Sequence, residues 1–409
     1  MKVLVLNCGS SSLKFQLIEV GEDPERDRAL AKGLIEDAGG AAVLHYEVQG
    51  VERKPVRDAA GSFEPRAAVE RALAVLTDPE TGVLPYKEEI GAVGHRVVHG
   101  GERFKASVLI DEAVVDGIEE CIPLAPLHNP ANLQGYRAAR AVLPEAPQVA
   151  VFDTSFHQTL PPEAFLYAIP YSLYQRFGVR RFGFHGTSHR FISGRAAARL
   201  GREEDPGLRL ITCHLGNGAS VCAVHGGKSI DTSMGMTPLE GLVMGTRSGD
   251  FDPAALLYIM GREAIGSAEA SALLNKHSGL LGLSGLSHDM RTLLEEEKKG
   301  NERSHLAIEV FCYRLRKYIG AYLAALGGAD ALVFAGGIGE NSPVIRERTL
   351  RGMEALGLSL DKDRNAAAEG SEAEISPDGA RPRVFVIPTD EELLIARDAF
   401  RIVRGLPPL

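Results

Sequence analysis

One short pattern occurs twice in this chain: an apolar run of strand length, a turn of small residues, and a second apolar run. Residues 3–6 lead into Asn7-Cys8-Gly9-Ser10-Ser11-Ser12, after which apolar Leu13, Phe15 and Leu17 alternate with Lys14 and Gln16. Residues 208–213 lead into His214-Leu215-Gly216-Asn217-Gly218-Ala219-Ser220, followed by apolar 221–224. Apolar runs on either side of a Gly/Ser turn read as a β-hairpin, and period-two alternation strengthens the first. Gly9 and Gly216 stand 207 residues apart in a chain of 409. One supersecondary unit returning at half-chain spacing predicts a duplicated architecture. Length alone, at roughly 100 to 200 residues per domain, allows two or three domains.

A third small-residue turn, Gly336-Gly337-Ile338-Gly339-Glu340-Asn341, follows the apolar run 331–334. Ser342-Pro343 after it reads as an N-cap with proline at the first helical position. Asp252-Pro253 before 254–260, with Gly261 beyond, and the apolar-periodic stretch 304–326 before Gly327-Gly328 read as two more helices. Strands alternating with helices predict an α/β fold class. The polar stretch 361–383 carries Gly370, Pro377, Gly379 and Pro382 and reads as a surface connection before a strand at 384–387.

With 45 Lys+Arg against 54 Asp+Glu, the net charge of −9 repels nucleic acid and anionic membrane surfaces. Five cysteines (Cys8, Cys121, Cys213, Cys222, Cys312) without any Cys-x-x-Cys pair fit a reduced cytosol. Residues 1–6 are too short for the apolar region of a signal peptide, and no run approaches the ~20 apolar residues of a membrane span. The chain therefore reads as soluble and cytoplasmic, with neither a nucleic-acid nor a membrane partner.

Backbone N–H groups converging in a Gly/Ser turn can hold phosphate oxygens, with hydroxyls and a nearby Lys adding donors and charge. Gly9 to Ser12 with Lys14 has those parts. A plain hairpin turn explains any one such segment; three in one α/β chain favour nucleotide binding. The standard signatures fail. A P-loop ending at Gly226-Gly227-Lys228-Ser229 needs glycine at Cys222, and a dinucleotide motif begun at Gly337 and Gly339 ends on Ser342.

His95-Arg96-Val97-Val98-His99-Gly100-Gly101 and His185-Gly186-Thr187-Ser188-His189 concentrate polar groups. Zinc lacks a warrant there, because Gly186 stands where a metalloprotease carries Glu and no carboxylate ligands are evident nearby. Structural histidines and donors to an anionic substrate both remain open. Residues 231–238 and 245–250 form a long segment of small and polar residues around Arg247; loops of this length with few charges usually have a job. Thr389 and Glu392 fit a capping box, which leaves Glu391 free for a metal.

Taken in order, Asn7-Cys8-Gly9-Ser10-Ser11-Ser12-Leu13-Lys14, Gly94-His95-Arg96-Val97-Val98-His99-Gly100-Gly101, Phe152-Asp153-Thr154-Ser155-Phe156-His157, His214-Leu215-Gly216-Asn217-Gly218, Gly336-Gly337-Ile338-Gly339-Glu340-Asn341 and Thr389-Asp390-Glu391-Glu392 closely resemble the acetate kinase family, within the acetate and sugar kinase, Hsp70 and actin superfamily. The matches span nearly the whole chain, with variability only near 50–62 and 361–383. The resemblance implies two duplicated actin-like (ribonuclease H-like) domains, 1–153 with 391–409 and 154–390, an active-site cleft between them, and a homodimer. It implies that Asn7 and Glu391 support Mg²⁺ or Mn²⁺. Lys14, Ser10, Ser12 and His214, Leu215, Gly216, Asn217 and Gly218 would face the phosphates of ATP or ADP. Asp289, Met290 and Arg291, with Gly337, Ile338, Gly339, Glu340 and Asn341, would hold the nucleoside. Asp153, Arg96, His185, Arg247 and His128 would surround the transferred group. Val98, Leu127, Phe184 and Pro238, beside Arg96, would line a small apolar pocket for a methyl group.

The implied reaction is direct in-line transfer from ATP to acetate, and two approaching anions demand positive charge, for which Mg²⁺, Arg96 and Arg247 are the candidates. A carboxylic acid of pKa about 4.3 is already ionised at pH 7, so Asp153 is expected to position groups rather than abstract a proton. A propionate or butyrate kinase differs by about 1 to 3 kcal/mol per methylene in an apolar pocket. An actin- or Hsp70-like assembly ATPase would need to orient water, for which Arg96, His128, His185 and Arg247 are poorly suited.

Overall fold

The structure, a computed structural model, describes residues 1–37, 41–48, 51–57 and 63–409. The first sheet holds β1 (Lys2–Cys8), β2 (Ser12–Glu19), β3 (Arg28–Asp37), β4 (Ala42–Val48), β5 (Val51–Arg57), β6 (Ile90–Val97), β7 (Val108–Leu109) and β8 (Gln148–Phe152), in the order β5-β4-β3-β2-β1-β6-β8-β7. The second holds β9 (Arg209–Leu215), β10 (Ala219–His225), β11 (Lys228–Thr232), β12 (Ala331–Ala335), β13 (Ala373–Glu374) and β14 (Arg383–Val386), in the order β11-β10-β9-β12-β14-β13. β1 lies antiparallel to β2 and parallel to β6, which runs parallel to β8. β9 repeats this with β10, β12 and β14. The edges agree too, β7 antiparallel on β8 as β13 is on β14. The second sheet is thus the first without β4 and β5, which is the duplication that the half-chain spacing anticipates.

β1 and β9 share one burial pattern: four buried residues, a half-buried Asn7 or His214, then a buried residue. Strands covered on both faces read as continuous apolar runs, and the period of two decides which residue meets which layer. Val3 and Val5 pack with Ile395, Ala396, Ala399 and Phe400 of the C-terminal helix Glu391–Val403. Leu4 and Leu6 join the cluster of Val69, Ala72 and Leu73 from the helix Pro65–Leu76 and Ala138 and Ala139 from Asn129–Val142. Gly94 lets the C-terminal helix approach β6, since a Cβ there would stand 2.6 Å from Ile395 Cγ2. The chain divides into two compact units, Met1–Phe156 with Asp390–Leu409, and His157–Thr389.

Several elements depart from the sequence reading. Gly336–Asn341 is a short helix in its own right, and Ser342 precedes Pro343–Leu350 without a side-chain capping bond. The helix Pro253–Glu263 runs through Gly261 and stops at Ala264 in the left-handed region. Gly261 faces open space, where glycine in a helix costs only about 1 kcal/mol. Within 361–383, Asp361 caps a helix at Lys362–Ala367 and β13 adds an edge strand. Of the 50–62 stretch only the backbone of β5 falls among the described residues. All five cysteines are free and buried. Burial pushes the Cys8, Cys121 and Cys312 thiols up to about 11, so little reactive thiolate forms near neutral pH. No helix among the described residues is long and apolar enough to cross a membrane.

Candidate active site

In the first unit the polar residues gather where β1, β6 and β8 end. Asn7 lies opposite Lys14 in the β1–β2 register. Asp153 follows β8, its N–H donates to Val97 O at 3.0 Å, and it is 1% exposed. Arg96, on β6, grips it at two points, Nη2 to Oδ2 at 2.5 Å and Nε to Oδ1 at 3.2 Å. The same guanidinium reaches Asn7 Oδ1 at 3.5 Å and stands 3.9 Å from Glu391 Oε2. Burial raises the Glu391 carboxyl above the usual carboxylate range against the pull of Arg96, and the charges of Asp153 and Glu392 raise it further. The Gly9–Ser12 turn closes through Gly9 N–H to Ser12 O at 2.8 Å, with Ser10 exposed.

In the second unit the β9–β10 turn closes through Gly216 N–H to Gly218 O at 2.9 Å. His185 adopts a left-handed conformation (φ 56°) just before the helix Gly186–Leu200. A non-glycine residue held there signals local strain of about 1–3 kcal/mol that the surroundings must enforce. Its Nδ1 bonds Ser220 Oγ at 2.9 Å, and its ring lies 4.3 Å from that of His214. His214 Nδ1 bonds Ser188 Oγ, which also bonds Thr389 Oγ1. A Cβ on Gly218 would come 3.2 Å from His185 Nε2 and 3.6 Å from Arg247 Nη1, so the turn, His185 and Arg247 meet at one point. Among the described residues Arg247 makes no ion pair; its Nη1 donates to Pro238 O at 3.0 Å, and burial lowers its pKa. A half-buried guanidinium without a carboxylate is a ready anion site.

The remaining candidates divide. Gly336 (φ 73°) passes within 2.8 Å of the Leu215 backbone, measured to its ideal Cβ, so the turn after β12 abuts the end of β9. Glu340 points inward, accepting from the N–H groups of Gly336 at 2.7 Å and Thr389 at 3.1 Å. Gly337 is open, Gly339 is buried, Ile338 is half-buried, and Asn341 Nδ2 donates to Gly337 O. Asp289 caps the helix Met290–Lys298 and pairs with Arg291, which holds its carboxyl down at about 2. Met290 is buried. Val98 and Phe184 are buried, Pro238 is half-buried, Leu127 is 72% exposed and His128 is exposed.

The capping box at Thr389 is corrected: Asp390 caps the C-terminal helix, its Oδ1 accepting from Leu393 N–H at 2.9 Å, while the Thr389 hydroxyl bonds Ser188. Glu392 is not bound to the cap and lines a cavity of about 470 Å³ with Lys14, Lys32 and His45. Asn129 and Asn132 escaped the sequence reading. Asn132 joins two strand ends, accepting from Val98 N–H at 3.1 Å and donating to Cys8 O at 2.9 Å; Asn129 brackets His99 likewise. Their three-residue spacing on one helix face was the available signal.

A family model described as the acetokinase family matches residues 2–397. The acetate kinase of Natranaerobius thermophilus is 52% identical over 401 residues, covering 98% of each chain. The crystal structure of Porphyromonas gingivalis acetate kinase superposes with a TM-score of 0.93 at 48% identity, covering 98% of this chain and 99% of that one. A propionate kinase from Francisella tularensis superposes with a TM-score of 0.88 at 41% identity, covering 99% of each.

Proposed function

The chain belongs to the acetokinase family, and on that premise we propose that it transfers the γ-phosphoryl group of ATP reversibly and in line to acetate, giving acetyl phosphate and ADP. It is a phosphotransferase with a carboxyl group as acceptor. An acetate oxygen forms the new bond to the γ-phosphorus while the bond to the β–γ bridging oxygen breaks, and ADP carries that electron pair away. No proton moves, because the acceptor is already a carboxylate at neutral pH. The protein therefore has to position two anions and offset their charge.

The observation that carries this reading is Arg247, half-buried, without an ion pair among the described residues, and set beside His185 and the Gly216–Gly218 turn. We assign Arg247 and His185 to the transferred group, and the β9–β10 turn with Lys14 and the Gly9–Ser12 turn to the phosphates. Arg96, held by Asp153, would meet the acetate carboxylate, with Val98, Phe184, Pro238 and Leu127 around its methyl group. Gly337 and Asn341 would face the nucleoside, whereas Glu340 and Met290 would serve it from behind. Asn7, Asp153 and Glu391 are hard oxygen donors suited to Mg²⁺ or Mn²⁺, and the raised Glu391 carboxyl marks a place that a cation would relieve. Such an ion, when bound, would neutralise charge on the β- and γ-phosphate oxygens.

Trapping the acyl phosphate with hydroxylamine tests the reading. Acetate is expected to give the highest kcat/KM among formate, acetate, propionate and butyrate. A preference for propionate or butyrate would move the chain to the longer-acid branch, and ATP turnover independent of any carboxylate would overturn the kinase reading. We also propose a cytoplasmic homodimer. The helix Pro253–Glu263 buries none of its residues and exposes Leu257 (69%) and Tyr258 (67%), an apolar surface suited to a second copy. Light scattering should give about twice the 43.9 kDa chain mass, and a monomer at micromolar concentration would refute it.

A further inference from the structure

We propose that Glu240, held between Arg181 and Tyr167, is a positioning residue that sets His185 and Arg247 in register with each other. This rests on the assignment of those two groups to the transferred phosphoryl group. Arg181 Nη1 donates to three successive carbonyls, Thr232 O at 2.7 Å, Ser233 O at 3.1 Å and Met234 O at 3.2 Å, while its Nη2 donates to Glu240 Oε1 at 2.6 Å. The Tyr167 hydroxyl donates to Glu240 Oε2 at 2.5 Å and accepts from Met236 N–H at 2.9 Å. The loop is therefore pinned on both sides of Pro238, whose carbonyl holds Arg247.

The same loop holds the segment leading to His185. Gly235 O accepts from the N–H groups of both Phe182 and Gly183 at 3.1 Å, and Gly183 (φ 78°) leaves no room for a Cβ, which would fall 2.4 Å from Thr232 Cγ2. At Gly235 a Cβ would fall 1.8 Å from Glu240 Oε2 and 2.3 Å from the Tyr167 hydroxyl, so the loop closes directly onto the clamp. One carboxylate thus ties together the backbone before His185 and the carbonyl under Arg247. A planar guanidinium reaching four acceptors leaves little freedom, and a shift of about 1 Å at a positioned group can cost about 10²-fold in rate.

The test uses the full chain, ATP and acetate, with the hydroxamate as readout. Glu240→Ala is expected to lower kcat/KM for acetate by about 30- to 100-fold while KM for ATP stays within about twofold. Because the clamp acts through Arg247, Glu240→Ala should cost less than about threefold more in an Arg247→Ala background. Fully multiplicative losses, or unchanged turnover in folded Glu240→Ala, would overturn the proposal. Should circular dichroism show that Glu240→Ala does not fold, Tyr167→Phe removes one bond and should show the same coupling at about 3- to 10-fold; additive losses there would overturn it equally. If Arg247→Ala itself were nearly active, the site assignment would fail and the clamp with it. If Arg247→Ala were crippled and both clamp variants normal, only the clamp would fail.

Discussion

Arg247→Ala is expected to lower kcat by about 10³- to 10⁵-fold while leaving nucleotide affinity within a few-fold, since an arginine on a transferring phosphoryl group contributes on that scale. That loss corresponds to about 4 to 7 kcal/mol of transition-state stabilisation. Among the described residues the Arg247 guanidinium has no ion pair, and its one hydrogen bond to oxygen goes to Pro238 O. A half-buried charge in that condition is costly in the absence of a ligand, and burial does lower its pKa. The cost becomes reasonable if the guanidinium meets an anion whose charge spreads over more oxygens as transfer proceeds. Arg247→Lys should recover only part of the rate, because an ammonium keeps the charge and loses the planar fork. Steady-state kinetics with nucleotide binding measured separately would decide it; turnover of Arg247→Ala within tenfold of the parent would remove Arg247 from the reaction.

The duplication was legible because it is written in backbone requirements. A Gly/Ser turn between apolar runs admits few conformations, and two copies at half-chain spacing predicted the duplicated architecture that the shared strand order displays. The end of the helix Glu302–Leu326 was legible for the same reason, at Gly327 in the left-handed region, whereas Gly261 did not end the helix Pro253–Glu263. What stayed hidden depended on distant partners. Thr389 and Asp390 can both cap a helix; the choice fell to Asp390 because the Thr389 hydroxyl bonds Ser188, 201 residues earlier. The resemblance implied a nucleoside contact at Glu340, but it gave no sign that the carboxylate also accepts from the N–H groups of Gly336 and of Thr389, 49 residues later. Asn132 had only its three-residue spacing from Asn129 as a signal and Glu240 had none, since their partners Cys8, Val98, Tyr167 and Arg181 converge only in the folded sheets and loops. The candidate residues themselves were found by resemblance to a family, and composition alone would have left Arg96 and Arg247 among many other arginines.

Asp153→Asn is expected to lower activity by about 10²-fold and to raise the Mg²⁺ concentration needed for half-maximal activity. The substitution keeps volume and removes charge at a residue that is 1% exposed. In the parent, both carboxylate oxygens accept from Arg96, and Arg96 in turn leans on Asn7 and Glu391. An amide can offer Arg96 only one oxygen and turns an N–H₂ toward its donors, so the guanidinium should swing away from its place. Removing one partner of a buried pair costs about 3–5 kcal/mol. The figure here should fall below that, because the Arg96 side chain is 23% exposed and solvent screens part of the loss. A general-base role predicts something different. With an acceptor ionised well below pH 7 there is no proton to remove, so the loss should not shrink as pH rises and acetate stays ionised. The Mg²⁺ titration separates the roles further, because a lost base leaves metal dependence alone and a lost positioning group does not. Most activity retained at unchanged Mg²⁺ dependence would sink the positioning role and leave the Arg96–Asp153 pair as a structural tie between β6 and β8.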